Sequence, residues 1–493
     1  MTCRPEGRAL PAALGLALML AACAGAERAP PTRDPSATIA PLLREAEAAM
    51  ASGALGEAAQ ALDAALARAP EDPDLWVAIA RLRFRGGEHL TALAATDHAL
   101  ALRPDHAPAL LLRALMVRDA HGFAAARPWF VAALAADPDS PDVWAEYAAS
   151  LGDGGEAGAM LAAVRRLAEL APRDPRVFYL QAVLAARAGE LGLARSLLDR
   201  SGFAARAVPA AVLLDALISL EEGNPDSAAE ALAPLAARQP ANARLRELLA
   251  RALLESGRAG EVAARFGPEA ALAEASPYLV MVVARAQEQL GNRAAAAPLL
   301  ARAYGGARPR LAVLAPREGL PQPTLALRAA AGRAAQGALQ AEAARLAARF
   351  PASADVASLV GDAALAGKDA GGALAAYARA ARVKRPWPLT RKAVLAARAQ
   401  GDEAAALTLL ARHVAGEPDG ASGLVALAEA EARRGGWARA ALLLDHAIAL
   451  GAGHDPALLA LRRDAARALG DKEAAARFAA LIAAVRPAPL AAR

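Results

Sequence analysis

The chain of 493 residues holds seven histidines and two cysteines, the side chains from which metal or nucleophile chemistry would first be built. His89, His98, His106 and His121 fall close together, yet no two are three or four residues apart, the spacing that puts two ligands on one helix face. No metal site is expected from them. Cys3 and Cys23 both lie in the first few dozen residues, so the remainder of the chain can form neither a disulfide nor a thiolate metal centre. Asp97-His98 and Asp445-His446 form recurring acid–imidazole pairs, each directly before an alanine, Ala99 or Ala447. Catalysis would need such a pair to converge with a nucleophile in a cleft, and nothing in the sequence points to one. Neither an enzyme nor a cofactor is expected.

Arginine supplies nearly all the basic residues, giving a formal charge of +5 and a pI near 9.5. The arginines are scattered along the chain, whereas a nucleic-acid patch would be concentrated, so no nucleic-acid partner is expected. Hydrophobic residues make up 56 %, but the excess is alanine and leucine and aromatics are only 4 %, a composition for helices. At this length a single compact core is excluded, which leaves several domains or a repeat array growing in one dimension.

Spacing decides for the array. Glycine recurs at Gly53, Gly87, Gly155, Gly189, Gly223, Gly257 and Gly291, every interval being 34 residues or twice that, with His121 and its neighbour Gly122 at the one vacancy. Proline keeps the step at Pro70, Pro104, Pro138, Pro172 and Pro240. Alanine keeps it without a gap at Ala46, Ala80, Ala114, Ala148, Ala182, Ala216, Ala250 and Ala284. A small residue recurring this way marks a close helix–helix approach, glycine ends the first helix of each unit, and proline stops the second.

The pattern resembles the tetratricopeptide repeat. In the second unit Trp76, Ala80, Gly87, Ala92, Ala99 and Pro104 stand at the family positions, with Ile79 where leucine and Thr96 where an aromatic is usual. Eight units are expected over 39–310, starting at 39, 73, 107, 141, 175, 209, 243 and 277, with the seventh degenerate after Phe266. Gly367, Gly401 and Gly435 step by 34 again, but 76 residues separate Gly291 from Gly367, two periods plus eight. The Gly- and Pro-rich stretch from Gly305 to Pro323 is where the insertion is expected, with an irregular hinge at 311–319. Five weaker units then fill 320–489, the clearest carrying Gly361, Ala373, Tyr377 and Ala380, another Leu427, Ala428, Gly435, Ala440, Leu444 and Ala447. The resemblance implies an all-α, right-handed superhelical solenoid of about thirteen helix-turn-helix units in two arrays, leaving no room for a separate catalytic domain.

The first residues read as an export signal. Arg4 and Arg8 precede an apolar run from Ala9 to Leu20 that is short of the roughly 20 residues a helix needs to cross a bilayer. Leu20-Ala21-Ala22-Cys23 resembles the bacterial lipobox, which implies a signal peptide at 1–22 and an acylated N-terminus at Cys23. Ala24, in place of aspartate, implies sorting to the outer membrane, with the folded part on the periplasmic side. Residues 23–38, with Pro30, Pro31 and Pro35, read as a tether.

In the tetratricopeptide family the first helix of each pair lines a concave groove that takes a peptide or a partner helix. Carried over, the fifth and ninth residues of successive units are Val77 and Arg81, Leu111 and Leu115, Ala145 and Ala149, Tyr179 and Val183, Leu213 and Leu217. Glu247 and Arg251, then Met281 and Arg285, continue the series, so the expected groove is apolar in the middle and basic at its ends. Packing between neighbouring units is the competing reading for the leucines, because inward and groove-facing positions are adjacent on a helix. Arg81, Arg176, Arg244, Arg251 and Arg285 could contact acidic segments or simply form a solvated face. A carboxylate clamp of the chaperone type is not expected, since Leu111, Leu115, Ala145 and Ala149 cannot donate to a carboxylate. The resemblance implies a non-enzymatic scaffold for protein or peptide partners in the cell envelope, tethered to the membrane by its lipid and assisting pilus assembly or exopolysaccharide export. The alternative is a regulatory or accessory subunit of an envelope enzyme complex.

Overall fold

The computed structural model describes residues 35–306, 308–314, 322–331 and 336–485. The expected signal peptide, Cys23 and the tether up to residue 34 lie outside the described residues. Among those described the chain is all-α, with twenty-six α-helices, a short 3-10 turn at Ala452–His454 and no strand.

The helices form thirteen helix-turn-helix pairs, a helical-repeat solenoid. From the second pair to the eighth, the first helix begins at residue 73, 107, 141, 175, 209, 243 or 277, the positions the periodicity marks. Local chemistry fixes several of these starts. Pro73, Pro141, Pro175, Pro209 and Pro277 occupy first-turn positions where a missing N–H costs nothing. The Asp72 carboxylate caps the helix after it, accepting from the Asp74 and Leu75 amides at 2.9 and 3.2 Å. Between the two helices of a pair the glycines of the 34-residue series adopt left-handed φ values, 75–82° from Gly53 to Gly291. That conformation lets the next amide reach back into the helix: Glu88 donates to the Arg83 carbonyl and Asn224 to the Ser219 carbonyl, both at 2.8 Å. The eight periodic alanines from Ala46 to Ala284 are no more than 1 % exposed, so they do sit where helices meet.

Three details differ from expectation. The first helix opens at Pro35 and runs to Ser52, so the tether boundary at 38 was four residues too long; proline in a first turn starts a helix as readily as it interrupts one. In the third pair Gly122 takes the left-handed place (φ +87°), one residue after the vacancy at His121, and the first helix is correspondingly longer, Ala107–His121. In the tenth pair Gly367 is not left-handed at all; Lys368 is, at φ +63°. The ninth pair begins at Gln322, and the last helix ends at Val485. Residues 308–314, before it, are non-helical.

Successive first helices pack against one another more closely than second helices do, which places the first helices on the inside of the curve. The curve closes on itself. Leu90 donates its amide to the Ala352 carbonyl at 3.0 Å, and Arg385 donates its amide to the Asp119 carbonyl at 2.9 Å. The Ala354 amide donates to His89 Nδ1 at 3.2 Å, across 265 residues or about eight repeats. The backbones of Gly122 and Gly416 meet so closely that a Cβ on Gly122 would collide with Gly416. One circuit of the solenoid thus takes about eight units, and the turns of pairs two to four form a seam with the tenth to twelfth.

Candidate functional site

The inner helices are the surface on which a partner segment would lie, and they hold the expected groove residues unequally. Val77 is 3 % exposed and packs with Ala99 and Ala109; Leu111 is 6 % exposed and belongs to the core that includes Phe130, Val143 and Leu151. Both are core residues, a correction to the groove assignment, because at this end of the array the fifth position faces the neighbouring pair. Ala145 is buried likewise. Further along, Leu115, Tyr179, Val183 and Leu213 are half-buried and Leu217 is 36 % exposed, so an apolar strip remains open across the third to sixth pairs.

The basic ends of the groove are already neutralised. Arg81 lies 3.8 Å from Glu47. Arg251 bonds Glu255 at 2.7 Å and approaches Glu221 at 4.0 Å, and Arg285 bonds Glu288 at 2.5 Å. These carboxylates hold the Arg251 and Arg285 guanidinium pKa values above their usual one. Arg176 is shared between Asp174 and Asp142 at 2.6 and 2.7 Å, and Arg244 is exposed. Of the five arginines, Arg81, Arg176, Arg251 and Arg285 thus stand beside carboxylates of this chain.

The histidines serve separate contacts. His89 accepts from the Ala354 amide, His98 lies edge-on to Trp76, His106 reaches Asp74 at 3.1 Å, and His121 ends a helix beside the seam. Among the described residues no group of three or more His, Cys, Asp or Glu side chains is placed to hold a metal, and no helix is long and apolar enough to cross a membrane.

The recurring Asp-His pairs stand at equivalent places in their units and make equivalent contacts. Asp97 pairs with Arg113 at 3.4 Å and Asp445 with Arg462 at 2.7 Å, each arginine standing seventh in the following unit. Arg113 lies over the Trp129 ring and Arg462 over the Phe478 ring, again equivalent positions. In each set the ion pair ties one helix pair to the next, and the arginine also lies on an aromatic ring of its own pair.

No family model matches the chain. No curated protein matches it either. Among solved structures, one of PilW, described as a widely conserved type IV pilus biogenesis factor, aligns at 19 % identity over 47 % of this chain and 92 % of that one, with a TM-score of 0.30. Pseudomonas aeruginosa PilF aligns at 17 % over 44 % and 99 %, with a TM-score of 0.34. A human IFIT1 dimer with PPP-AAAA aligns at 16 % over 69 % and 81 %, with a TM-score of 0.38. Likeness at this level says nothing of a shared ligand or role.

The second array carries inner-face chemistry that the groove assignment, stopped at the eighth unit, did not reach. Asp362, ninth in the tenth unit, is 1 % exposed, accepts from the Tyr377 hydroxyl at 2.9 Å and binds Lys392 Nζ at 2.6 Å. Burial pushes its carboxyl pKa up, and Lys392 and Tyr377 pull it back only in part. A Cβ on the preceding Gly361 would strike the Tyr377 ring, so glycine there lets the tyrosine reach the carboxylate. Glu429, ninth in the twelfth unit, and Asp455, which caps the thirteenth, both bind Arg308 of the non-helical segment, at 2.8 and 2.6 Å. Carrying the fifth-and-ninth rule onward would have found Asp362, Glu429 and Arg391.

Proposed function

We propose that this chain is a non-enzymatic scaffold, held at the outer membrane by a lipid on Cys23 and facing the periplasm, that binds protein segments while an envelope structure such as a pilus or a polysaccharide exporter is assembled. The observation that carries the binding role is the open apolar strip Leu115, Tyr179, Val183, Leu213 and Leu217 on the inner helices of the third, fifth and sixth pairs, flanked by arginines that are already paired. Such a strip suits the apolar face of a partner helix or an extended apolar peptide. The lipid anchor rests on the Leu20–Cys23 sequence alone.

Crosslinking in the native cell, with purification from the outer-membrane fraction and mass spectrometry of what is attached, tests the role. Recovery of pilus or polysaccharide-export components is expected, and recovery of soluble enzymes alone would favour the accessory-subunit alternative. Cys23→Ser should release the protein into the soluble fraction; continued membrane association would refute the anchor.

A further inference from the structure

The eighth pair ends at Ala303, and the chain then leaves the stack. Gly306 lies against Ala457 at the start of the thirteenth pair. Arg308 places Nε 2.8 Å from Glu429 and Nη1 2.6 Å from Asp455, contacts that span 121 and 147 residues. The Arg310 amide donates to the Ala273 carbonyl, between the seventh and eighth pairs, at 3.2 Å. Val313 and Leu314 then pack with Leu327 of the ninth pair and with Leu359 and Val360 of the tenth. Contacts about half a circuit away, made to inner helices, mean that this segment crosses the inside of the solenoid.

We propose that the inner face of the second array is a groove for an extended, arginine-bearing peptide, and that the chain's own non-helical segment around Arg308 occupies it in cis. A connection between helix pairs needs only about 2–8 residues, and it needs no arginine held by two carboxylates from distant pairs. The clamp is half-buried, with side-chain exposures of 40 % for Arg308, 31 % for Glu429 and 32 % for Asp455, and among the described residues Arg308 is the one ion-pair partner of each carboxylate. Glu429 stands at the ninth, groove-facing place of its unit. The arrangement is that of a bound ligand: a cation seated between two carboxylates, then apolar side chains filling the next site along. Tethering gives the segment an effective concentration on the order of millimolar, so an outside partner must carry the same chemistry and bind more tightly, or the segment must first be released. The inference rests on the reading that inner faces take partners, but its test needs none of the cellular components.

A fluorescent peptide with the sequence of residues 303–314 is titrated into the full mature chain, its Arg308→Ala variant, and the double variant Arg308→Ala with Glu429→Arg. The single variant should bind at least tenfold more tightly than the unaltered chain, and the double variant should lose that gain. Equal affinity for the single variant and the unaltered chain, or a gain indifferent to Glu429→Arg, would overturn the proposal. A second measurement requires no binding: trypsin cleavage after Arg310 should be slow in the unaltered chain and at least tenfold faster in Glu429→Gln/Asp455→Asn. Cleavage at one rate in both would also overturn it.

Discussion

Lys368 carries a side chain through a turn that glycine makes elsewhere, as at Gly53, Gly87, Gly401 and Gly435. In the left-handed region a Cβ crowds the following carbonyl, at a cost of roughly 1–2 kcal/mol. Glycine removes the collision but adds freedom to the unfolded chain, which takes back part of the gain. Lys368→Gly should therefore stabilise the protein by about 0.5–1 kcal/mol, seen as a higher denaturation midpoint; an unchanged or lower one would mean the turn is unstrained. The 34-residue step counted back from Gly401 would have assigned the turn to Gly367, but the first helices of the tenth and eleventh pairs start at Ala354 and Trp387, one residue short of the period, so the turn place that Gly87 and Gly401 hold in their units falls on Lys368.

At the scale of the helix pair, the repeat works because a methyl group is all that fits where two helices cross. Ala148 is 0 % exposed, in the core with Leu151, Met160 and Val164. Leucine there must displace its neighbours, so Ala148→Leu should cost about 1–3 kcal/mol in the denaturation midpoint, while a melting curve identical to that of the unaltered chain would count against the assigned phase. Helix starts, turns and close approaches were legible because each is decided within one unit and then repeated, so a period exposes them. The groove was legible only in part. Whether the fifth position looks inward or sideways depends on how tightly neighbouring pairs stack, which Val77 and Leu111 show and their spacing does not. The arginine partners in neighbouring units were hidden for the same reason, since Glu47 and Arg81, or Glu221 and Arg251, meet only once two units are stacked, whereas Arg251–Glu255 and Arg285–Glu288 were legible as i,i+4 and i,i+3 pairs on one helix. The seat of Arg308 on Glu429 and Asp455 has no periodic signature, since both ends are single occurrences far apart in the chain.

The whole molecule is governed by the seam at which one circuit meets the next, and that seam contains three histidines. His89 accepts a backbone hydrogen bond on Nδ1, which a protonated ring cannot do; it is packed against Phe84 and faces Asp355 and Lys384. His121 faces Arg385, Arg412 and Arg113. His413 faces Arg385 and lies near Thr390 and Glu417, with Trp387 stacked on its ring. Burial, the largest cause in each case, pushes all three imidazoles below the ordinary value of about 6.5. The folded chain then binds fewer protons than the unfolded one below that value, so their contribution to stability is complete above about pH 6.5 and is lost as pH falls toward the depressed folded values. Burial pushes Glu417 upward and works in the opposite sense, so the histidines are isolated by comparison with a variant. His89→Gln retains an acceptor for the Ala354 amide but cannot be protonated. Between pH 7.5 and 5.5 the unaltered chain should lose thermal stability more steeply than His89→Gln. Over the same range the Leu90 and Arg385 amides, which donate across the seam, should lose hydrogen-exchange protection beyond the intrinsic pH effect. Equal slopes for the two proteins, with both amides still protected at pH 5.5, would mean that the seam holds whether or not His89 is charged.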